Sequence, residues 1–361
     1  MKIINLPAFS NSAQFNLGRR TSTASAMANC TELVDLLHWY YLPTMYSLEF
    51  CLGFLGNLLV ILGYLFCLKN WKGTNVYLFN LAVSDLVFLC TLPRLVGTYA
   101  SGHRETSPFV CIVNRYILHV NLYSSILFMV WVSAERYLLV RYPHRHHPLL
   151  KRGAAAAVSA LIWVAVSAQV APLLLYIVQD MERGNWTRCS DFGSLAAHQG
   201  AGLLTYSLLL TATGYVLPLL ALCVFSARIT CILRAQEGVF QNRAAASTFR
   251  RPQRTVLATV AMFLALYLPY HVMRNVYIAD RAAAASAATP HNACIMSAYI
   301  ITRPIAFAHS VVNPAFYFFM GDHFRELLIG RVKSLFQRCV TQESQSQGVE
   351  NSAPSLTVLD N

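Results

Sequence analysis

Seven long apolar segments restrict the fold of this 361-residue chain more than any other feature of its sequence. Each is long enough, at about 1.5 Å of rise per helical residue, to cross the roughly 30 Å hydrocarbon core of a bilayer. Because 56% of the residues are apolar and only 12% are charged, little of the chain remains for a second domain folded in water. We therefore predict an all-α membrane protein, a seven-transmembrane helix bundle. The predicted segments are residues 45–68, 75–98, 111–140, 154–178, 203–233, 254–279 and 295–319.

The sequence around these segments predicts four parts of the chain. Residues 1–44 form an extracellular N-terminal segment, without the basic start and apolar core of a cleavable signal peptide. Residues 45–319 form the bundle. Residues 320–338 are basic and amphipathic, which is typical of a short helix that lies along the inner membrane interface. Residues 339–361 are mostly polar and are predicted to form a disordered cytoplasmic tail.

The basic residues indicate how the chain crosses the membrane. Most of the 28 Lys and Arg residues fall in segments that lie inside if the N-terminus lies outside, as the charge bias of short inner loops requires. Two glycosylation sequons, at Asn29 and Asn185, fall on the side that this orientation places outside. We therefore predict a multi-pass protein of the plasma membrane, with the N-terminus outside, the C-terminus in the cytoplasm and both asparagines glycosylated. The lipid bilayer is the expected partner of the basic surface, and nucleic acid is not.

Each predicted segment carries a landmark that helps to classify the chain. The landmarks are Gly56-Asn57, Leu81-Ala82-Val83-Ser84-Asp85, Glu135-Arg136-Tyr137, Trp163, Pro218, Phe263 with Pro269, and Asn313-Pro314-Ala315-Phe316-Tyr317. In this order they resemble the rhodopsin-like family of G-protein-coupled receptors, over about residues 45–336. The resemblance implies a receptor rather than an enzyme. Its implied partners are a heterotrimeric G protein, of the inhibitory or phospholipase-linked class, and arrestin.

The resemblance also implies a G-protein switch near the inner ends of the helices. A buried cation at Arg136 needs a counter-charge, and the neighbouring Glu135 can supply it until the bundle opens. The other implied switch residues are Tyr137, Asn313, Pro314, Tyr317 and Tyr267. The sequence departs from the family pattern at the switch, because Tyr267 replaces the usual Trp and Ser226 the usual Tyr, and the loop before Cys111 lacks the Trp common there. We therefore expect the switch to be built partly from other groups.

Three polar residues at membrane depth, Asn57, Asp85 and Asn313, are predicted to meet inside the bundle, because polar groups facing lipid are costly. One interpretation is structural hydrogen bonding between helices. The resemblance implies a second one, a sodium ion held by Asp85 with Ser125 nearby. His309 stands where the family more often has Asn. No other cofactor is expected.

The ten cysteines show no Cys-x-x-Cys pattern and no Cys/His cluster, which argues against a zinc or redox site. Cys111 and Cys189 match the disulfide of the resembled family, and both fall on the predicted oxidising side. Cys30 and Cys294 are the two other cysteines predicted to lie outside. Their pairing would tie the N-terminal segment to the loop before the seventh helix, and free thiols are the alternative.

Several cations fall in the outer half of the predicted bundle. Arg115 and His119 follow Cys111 at intervals of four residues and so share its helix face. Arg274 and Arg303 lie at comparable heights on the sixth and seventh helices. Each Arg costs about 2.5–3.5 kcal/mol towards the membrane centre on insertion scales, so a counter-charge is expected. Internal pairing with Glu49 and Asp191 is one alternative, but two carboxylates do not neutralise three guanidinium groups, which favours a small carboxylate or phosphate ligand.

Within the family, the helical segments resemble the receptors for small dicarboxylates. The segments that carry this resemblance include Asn114-Arg115-Tyr116-Ile117-Leu118-His119, Pro269-Tyr270-His271-Val272-Met273-Arg274, and Thr302-Arg303-Pro304. The resemblance implies that succinate is held by Arg115 and Arg303. It further implies hydrogen bonds from Tyr46, Tyr99 and His119, with Arg274 and Asp191 shaping the mouth of the pocket.

Other interpretations remain open from the residues alone. Tyr46 and Tyr99 also suit an aromatic belt at the membrane interface, and His119 suits a core histidine. Oxoglutarate, a hydroxy acid or a nucleotide would suit the same cations. An anion channel or carrier would need basic residues along the whole membrane path, and the inner half of the predicted bundle lacks a matching ring.

Overall fold

The computed structural model describes residues 30–66, 68, 70–100, 107–142, 147–184, 189, 191–237, 251–320 and 330. Within these ranges 7 helices are long and apolar enough to cross a membrane, and the predicted fold class is confirmed. In chain order they are α1 Cys30–Phe66, α2 Gly73–Ala100, α3 Pro108–Arg141, α4 Arg152–Arg183, α5 Ala196–Thr211 with Leu217–Glu237, α6 Arg251–Met262 with Leu268–Ala287, and α7 Ala293–Phe307 with His309–Met320.

Several predictions concern residues outside the described part of the chain. These are both sequon asparagines, Asn29 and Asn185, the tail at 339–361, and the amphipathic helix at 320–338 apart from residues 320 and 330. Side chains are also not described at 196–200, 251–252 and 316–320, so of Tyr317 only its place on α7 is known.

The first helix begins earlier than the apolar pattern predicts, at Cys30 rather than near residue 45. Glu32 and Asp35 keep this first part out of an apolar segment, but charged side chains do not prevent a helix from continuing into water. A disulfide between Cys30 and Cys294 fastens the start of α1 to α7. Residues 30–44 of the predicted extracellular segment are therefore helical.

Prolines shape three of the seven helices in the same way. A π turn at Leu37–Tyr41 ends two residues before Pro43, one at Ala212–Val216 two before Pro218, and one at Phe263–Tyr267 two before Pro269. Proline has no N–H to donate, and its ring clashes with the carbonyl four residues earlier, so a locally wider turn relieves the contact. Each π turn also rotates the helix beyond it relative to a regular α-helix.

Its high burial and a close contact with α5 place α3 at the centre of the bundle. In its most apolar window 72% of the residues are buried, against 28% in each of α4 and α5. The π turn of α5 brings Gly214 so close to α3 that an added Cβ would lie 2.5 Å from the Tyr123 ring. Glycine is therefore required at this position, and Tyr123 is held where it reaches α6.

A stripe of leucines on α1 faces away from the bundle. The members, Leu48, Leu52, Leu55, Leu59 and Leu62, are spaced three or four residues apart and are exposed by 40–59%. A stripe of this kind on a helix that spans a membrane is the lipid-facing side, because lipid tails are as apolar as leucine.

The predicted polar core forms where α1, α2, α3 and α7 meet. Asn313 Nδ2 donates to Asp85 Oδ2 at 2.7 Å, and Asn57 Nδ2 donates to the Ser310 carbonyl at 2.8 Å. Asn121, which sequence analysis did not single out, donates to Asp85 Oδ1 at 2.9 Å. Asn57 thus reaches α7 through its backbone rather than through Asn313.

Candidate functional site

A cavity of about 500 Å³ opens at the end of the bundle that carries both disulfides, Cys30–Cys294 and Cys111–Cys189. We refer to this end as the disulfide end. The cavity is lined by residues of α1, α2, α3, α4, α6 and α7 and by the loop that follows α4. Of the residues that the sequence singled out as ligand contacts, the lining includes Tyr99, Arg115, Asp191 and Arg303.

Arg303 of α7 is held by two oxygen groups. Its Nη1 lies 2.9 Å from Asp191 Oδ2 in an ion pair, and its Nη2 donates to the Tyr99 hydroxyl at 2.7 Å. Tyr99 reaches Arg303 because α2 is interrupted near Pro93, where the Thr91 hydroxyl donates to the Phe88 carbonyl at 2.7 Å. The planar guanidinium therefore faces the cavity in a defined orientation.

Asp191 is the carboxylate on the loop after α4, two residues beyond the disulfide-bonded Cys189. Burial alone would raise its pKa, but the guanidinium groups of Arg303 and Arg115 and the Ser194 hydroxyl, which donates to it, hold the pKa at about 2. A depressed pKa of this kind stabilises the fold above the ordinary carboxylate range, and the contribution is lost as the pH falls towards 2. Asp191 is therefore an anion at any physiological pH.

Arg115 of α3 provides the second cation on the cavity wall. It lies one helical turn beyond Cys111, whose disulfide anchors this end of α3. Among the described residues, no side chain forms a hydrogen bond or ion pair with its guanidinium group, although its charge acts on Asp191. The cavity therefore presents two guanidinium groups close to one carboxylate.

Glu49 was the other carboxylate considered as an internal partner for the arginines. It is buried in α1, and neither of its carboxylate oxygens has a hydrogen-bond partner. Arg303 pairs with Asp191 and not with Glu49. Of the two arginines considered, Arg303 is paired with Asp191, and Arg115 has no carboxylate partner among the described side chains.

Arg274 does not lie at the mouth of the cavity, which corrects the prediction from sequence. It is fully buried and donates from Nη1 to the Tyr123 hydroxyl at 2.7 Å and from Nη2 to Thr211 Oγ1 at 2.8 Å. The rings of Phe192 and Tyr270 flank it at 5.0 and 5.4 Å. Counting residues gives a height on α6 but not a direction, and the π turn before Pro269 changes which way the side chain points.

Two other predicted contacts also lie behind the cavity wall. Tyr46 is 1% exposed and stacks beside Tyr99, with ring centroids 6.3 Å apart. His119 donates from Nδ1 to the Arg115 carbonyl at 2.8 Å and meets the Phe192 ring edge-on. Both residues support cavity-lining side chains and do not line the cavity themselves.

Tyr299 is a cavity residue that sequence analysis missed. Its ring lies 5.7 Å from the Arg303 guanidinium carbon, and its hydroxyl accepts a hydrogen bond from the Gly193 amide at 3.3 Å. Its position four residues before Arg303 puts both on one helix face, which was the available signal. Arg281 was also missed, and it donates to the Ser194 carbonyl at 3.2 Å.

Gly193 lets the loop that carries Asp191 pack tightly against α6 and α7. An added Cβ would lie 2.6 Å from the Tyr277 ring and 2.9 Å from the Tyr299 ring. No sequence signal marked this glycine, because the close approach depends on helices distant in the chain. The loop can be displaced only by moving both tyrosines.

We expect Gly193→Ala to destabilise the protein by about 1–3 kcal/mol, since overpacking forces the loop or the tyrosines to shift. Thermal unfolding of the purified protein should show the loss as a midpoint lowered by several degrees. Gly153→Ala is the matched control, because a Cβ there meets nothing within 4 Å. Equal midpoints for the two variants would contradict the packing described here.

The end opposite the disulfides contains the predicted switch residues. Glu135 is buried, and a Cβ added at Gly73, the first residue of α2, would lie 2.7 Å from Glu135 Oε1. The Glu135 carboxylate thus lies at the positive end of the α2 dipole. Among the described side chains, Glu135 and Arg136 do not form a direct ion pair. The Tyr137 ring stacks on Phe225 of α5 at 5.9 Å.

The remaining switch residues lie deeper in the same half of the bundle. Pro314 packs against α1 at Gly56, where an added Cβ would lie 3.0 Å from the proline ring. Tyr267 is fully buried beside His309, with ring centroids 5.3 Å apart, and its hydroxyl has no hydrogen-bond partner. The residue that replaces the usual Trp therefore contacts the residue that replaces the usual Asn.

The bundle of seven helices, with a cation-lined cavity at one end and buried charges at the other, defines a membrane receptor of the seven-helix class. The family model described as "7 transmembrane receptor (rhodopsin family)" matches residues 56–317. This chain belongs to the rhodopsin family of seven-transmembrane receptors.

Similar proteins divide into two groups. Succinate receptor 1 of Rattus norvegicus is 43% identical over 310 residues, which cover 86% of this chain and 95% of that receptor. The protein of the same name from Mus musculus is 43% identical over 302 residues, covering 84% and 93%. A purinoceptor of Cavia porcellus is more distant, at 31% identity over 331 residues, covering 89% and 86%. The resemblance stated from the sequence is confirmed.

Proposed function

We propose that this chain is a cell-surface receptor activated by the dicarboxylate succinate, which signals through a heterotrimeric G protein. The observation that carries the proposal is the charge of the cavity: Arg115 and Arg303 line it, and Asp191 neutralises only one of them. A ligand with two carboxylates offers one to each guanidinium group. The two relatives at 43% identity carry the name of a succinate receptor, which supports the same ligand.

The geometry suggests how a dicarboxylate binds. One ligand carboxylate takes the place of Asp191 at Arg303, where the Tyr99 hydroxyl is already within 2.7 Å of the guanidinium. The other pairs with Arg115 on α3. Guanidinium groups grip carboxylates through two parallel N–H bonds, so the ligand draws α3 and α7 into a fixed relative position.

A second proposal concerns a larger anion. The cavity of about 500 Å³ exceeds the needs of a four-carbon acid, and Arg94, Arg183 and Arg281 also line it. The more distant relatives are named as purinoceptors. Oxoglutarate, a hydroxy acid or a nucleotide is therefore the alternative ligand of the same cavity.

The test is a second-messenger assay in transfected cells against a panel of anions. We expect succinate to be the most potent, ahead of oxoglutarate, lactate and the adenine nucleotides. Greater potency of a nucleotide or a monocarboxylate would overturn the assignment. Readouts for the inhibitory and phospholipase-linked G proteins, and for arrestin recruitment, identify the intracellular partners.

Asp191→Asn is expected to raise the potency of succinate about tenfold, or about 1.4 kcal/mol, because the carboxylate competes with the ligand for Arg303. Since the pKa of Asp191 is about 2, the gain should not vary between pH 6 and 8. Asp180→Asn is the matched control, as Asp180 lines the same cavity without pairing with Arg303. Concentration–response curves at equal surface expression measure both. Unchanged potency for Asp191→Asn would argue against competition.

We propose that the disulfide end faces the cell exterior, with the C-terminus in the cytoplasm, because disulfides persist in oxidising compartments. Treatment of the protein from mammalian cells with a glycosidase is then expected to lower its apparent mass. Asn29→Gln with Asn185→Gln should abolish the shift. A C-terminal tag that is accessible on intact cells would show that the orientation is reversed.

A further inference from the structure

Asp85 lies at the centre of the polar core, and its carboxylate is surrounded by hydrogen-bond donors. Asn121 Nδ2 lies 2.9 Å and Ser125 Oγ 3.2 Å from Oδ1, and Asn313 Nδ2 lies 2.7 Å from Oδ2. All four residues are almost completely buried. The family resemblance implies a sodium ion at Asp85 and Ser125, and these contacts show which atoms such an ion would meet.

The two amides beside Asp85 present nitrogen, not oxygen, to the place where a hard cation would bind. Such an ion binds oxygen lone pairs, at about 2.3–2.6 Å for Ca²⁺. Here the amide nitrogens of Asn121 and Asn313 face the carboxylate, and their oxygens have no hydrogen-bond partner in the described part of the chain. A carboxylate only accepts hydrogen bonds, so the amide groups could not turn their oxygens towards it without an ion in between. Both amides therefore satisfy the carboxylate as donors, and the oxygen atoms left for an ion are those of Asp85 and Ser125.

His309 closes the remaining side of Asp85. Its Nδ1 lies 2.7 Å from the Ala306 carbonyl, which only accepts, so Nδ1 carries a hydrogen. The other ring nitrogen, Nε2, lies 3.6 Å from Asp85 Oδ1. Among the residues that the structure describes, none forms a hydrogen bond with Nε2. A cation bound to Oδ1 on this side would fall within contact distance of the ring.

The ring of His309 cannot easily swing away from this position. It is fully buried, its Nδ1 is tied to the backbone, and the Tyr267 ring lies 5.3 Å from it on α6. The Phe307 ring lies 6.4 Å away on the preceding turn of α7. Tyr267 and His309, which both depart from the family pattern, thus contact each other beside Asp85.

We propose that His309 occupies the place of the sodium ion in this receptor, so that a side chain of α7, and not a metal, faces Asp85 of α2. The group that contacts Asp85 is then a side chain of the protein and not an ion that can dissociate. The contact between α2 and α7 therefore does not depend on the sodium concentration. This inference does not rest on the identity of the ligand.

The test uses sodium ions as the probe and thermal unfolding of the purified, ligand-free receptor as the readout. We expect the unfolding midpoint of the unmodified receptor to be the same in NaCl and in KCl at equal ionic strength. His309→Asn removes the ring, so its midpoint should rise with NaCl concentration and not with KCl. Adding Asp85→Asn to that variant should abolish the rise.

Two results would overturn the proposal. A selective rise of the midpoint with NaCl in the unmodified receptor would show that sodium binds despite His309, and this arm needs no variant to fold. A His309→Asn receptor that folds but remains insensitive to sodium would show that the ring is not what replaces the ion. Neither result bears on succinate, so this proposal and the proposed function can fail separately.

Discussion

Succinate is expected to activate the receptor at concentrations about 30- to 4000-fold below those of its monoamide. The monoamide retains one carboxylate, so either Arg115 or Arg303 loses its partner in the complex while it remains shielded from water. Leaving one partner of a buried charge pair unpaired costs about 2–5 kcal/mol, which gives that range of potency. Concentration–response curves for the two compounds on the same cells provide the measurement.

The control for this comparison is the dimethyl ester of succinate, which lacks both charges and should be weaker still. Equal potency of the acid and the monoamide would exclude a site with two carboxylate clamps. A ligand held by one arginine alone would then be the better description, with Asp191 left in place on the other.

Arg115→Lys and Arg303→Lys are each expected to lower succinate affinity by about tenfold to 100-fold. Lysine keeps the positive charge but loses the planar fork that binds a carboxylate through two hydrogen bonds. The Arg303 guanidinium also binds the Asp191 carboxylate at 2.9 Å and the Tyr99 hydroxyl at 2.7 Å. The loss of succinate affinity should therefore be larger for Arg303→Lys than for Arg115→Lys. Radioligand affinity should be measured alongside the second-messenger response, at matched surface expression.

Arg136→Lys is the matched control for these two variants. It lies roughly 30 Å from Arg115 along α3, at about 1.5 Å per residue, at the opposite end of the bundle. We expect this change to impair signalling while ligand affinity stays largely intact. If Arg115→Lys and Arg303→Lys both retained full affinity, the arginines of the cavity would be structural and the ligand would bind elsewhere.

The fold and the level of each functional residue could be predicted because they depend on local properties of the chain. An apolar segment long enough to span a bilayer must form a helix, since lipid offers the backbone no hydrogen bonds. The spacing of Cys111 and Arg115 fixes both on one face of α3. The approach of Asn313 to Asp85 followed from the cost of exposing polar groups to lipid.

The start of α1 shows where this local reasoning ends. The apolar pattern marks only the part of a helix that lies in hydrocarbon, so the turns from Cys30 onwards, with Glu32 and Asp35, were read as a loop. A helix that projects into water needs no apolar segment, and here a disulfide to Cys294 holds it.

The direction of each side chain was decided by the tertiary structure alone. Arg274 and Arg303 are predicted at comparable heights, yet of the two only Arg303 lines the cavity, because a π turn rotates α6 and Tyr123 with Thr211 binds Arg274 in the interior. The choice of Asp191 over Glu49 as the partner of Arg303 depends on how a distant loop packs at Gly193. Counting residues along a helix gives height, but orientation and partners depend on contacts between segments far apart in the chain.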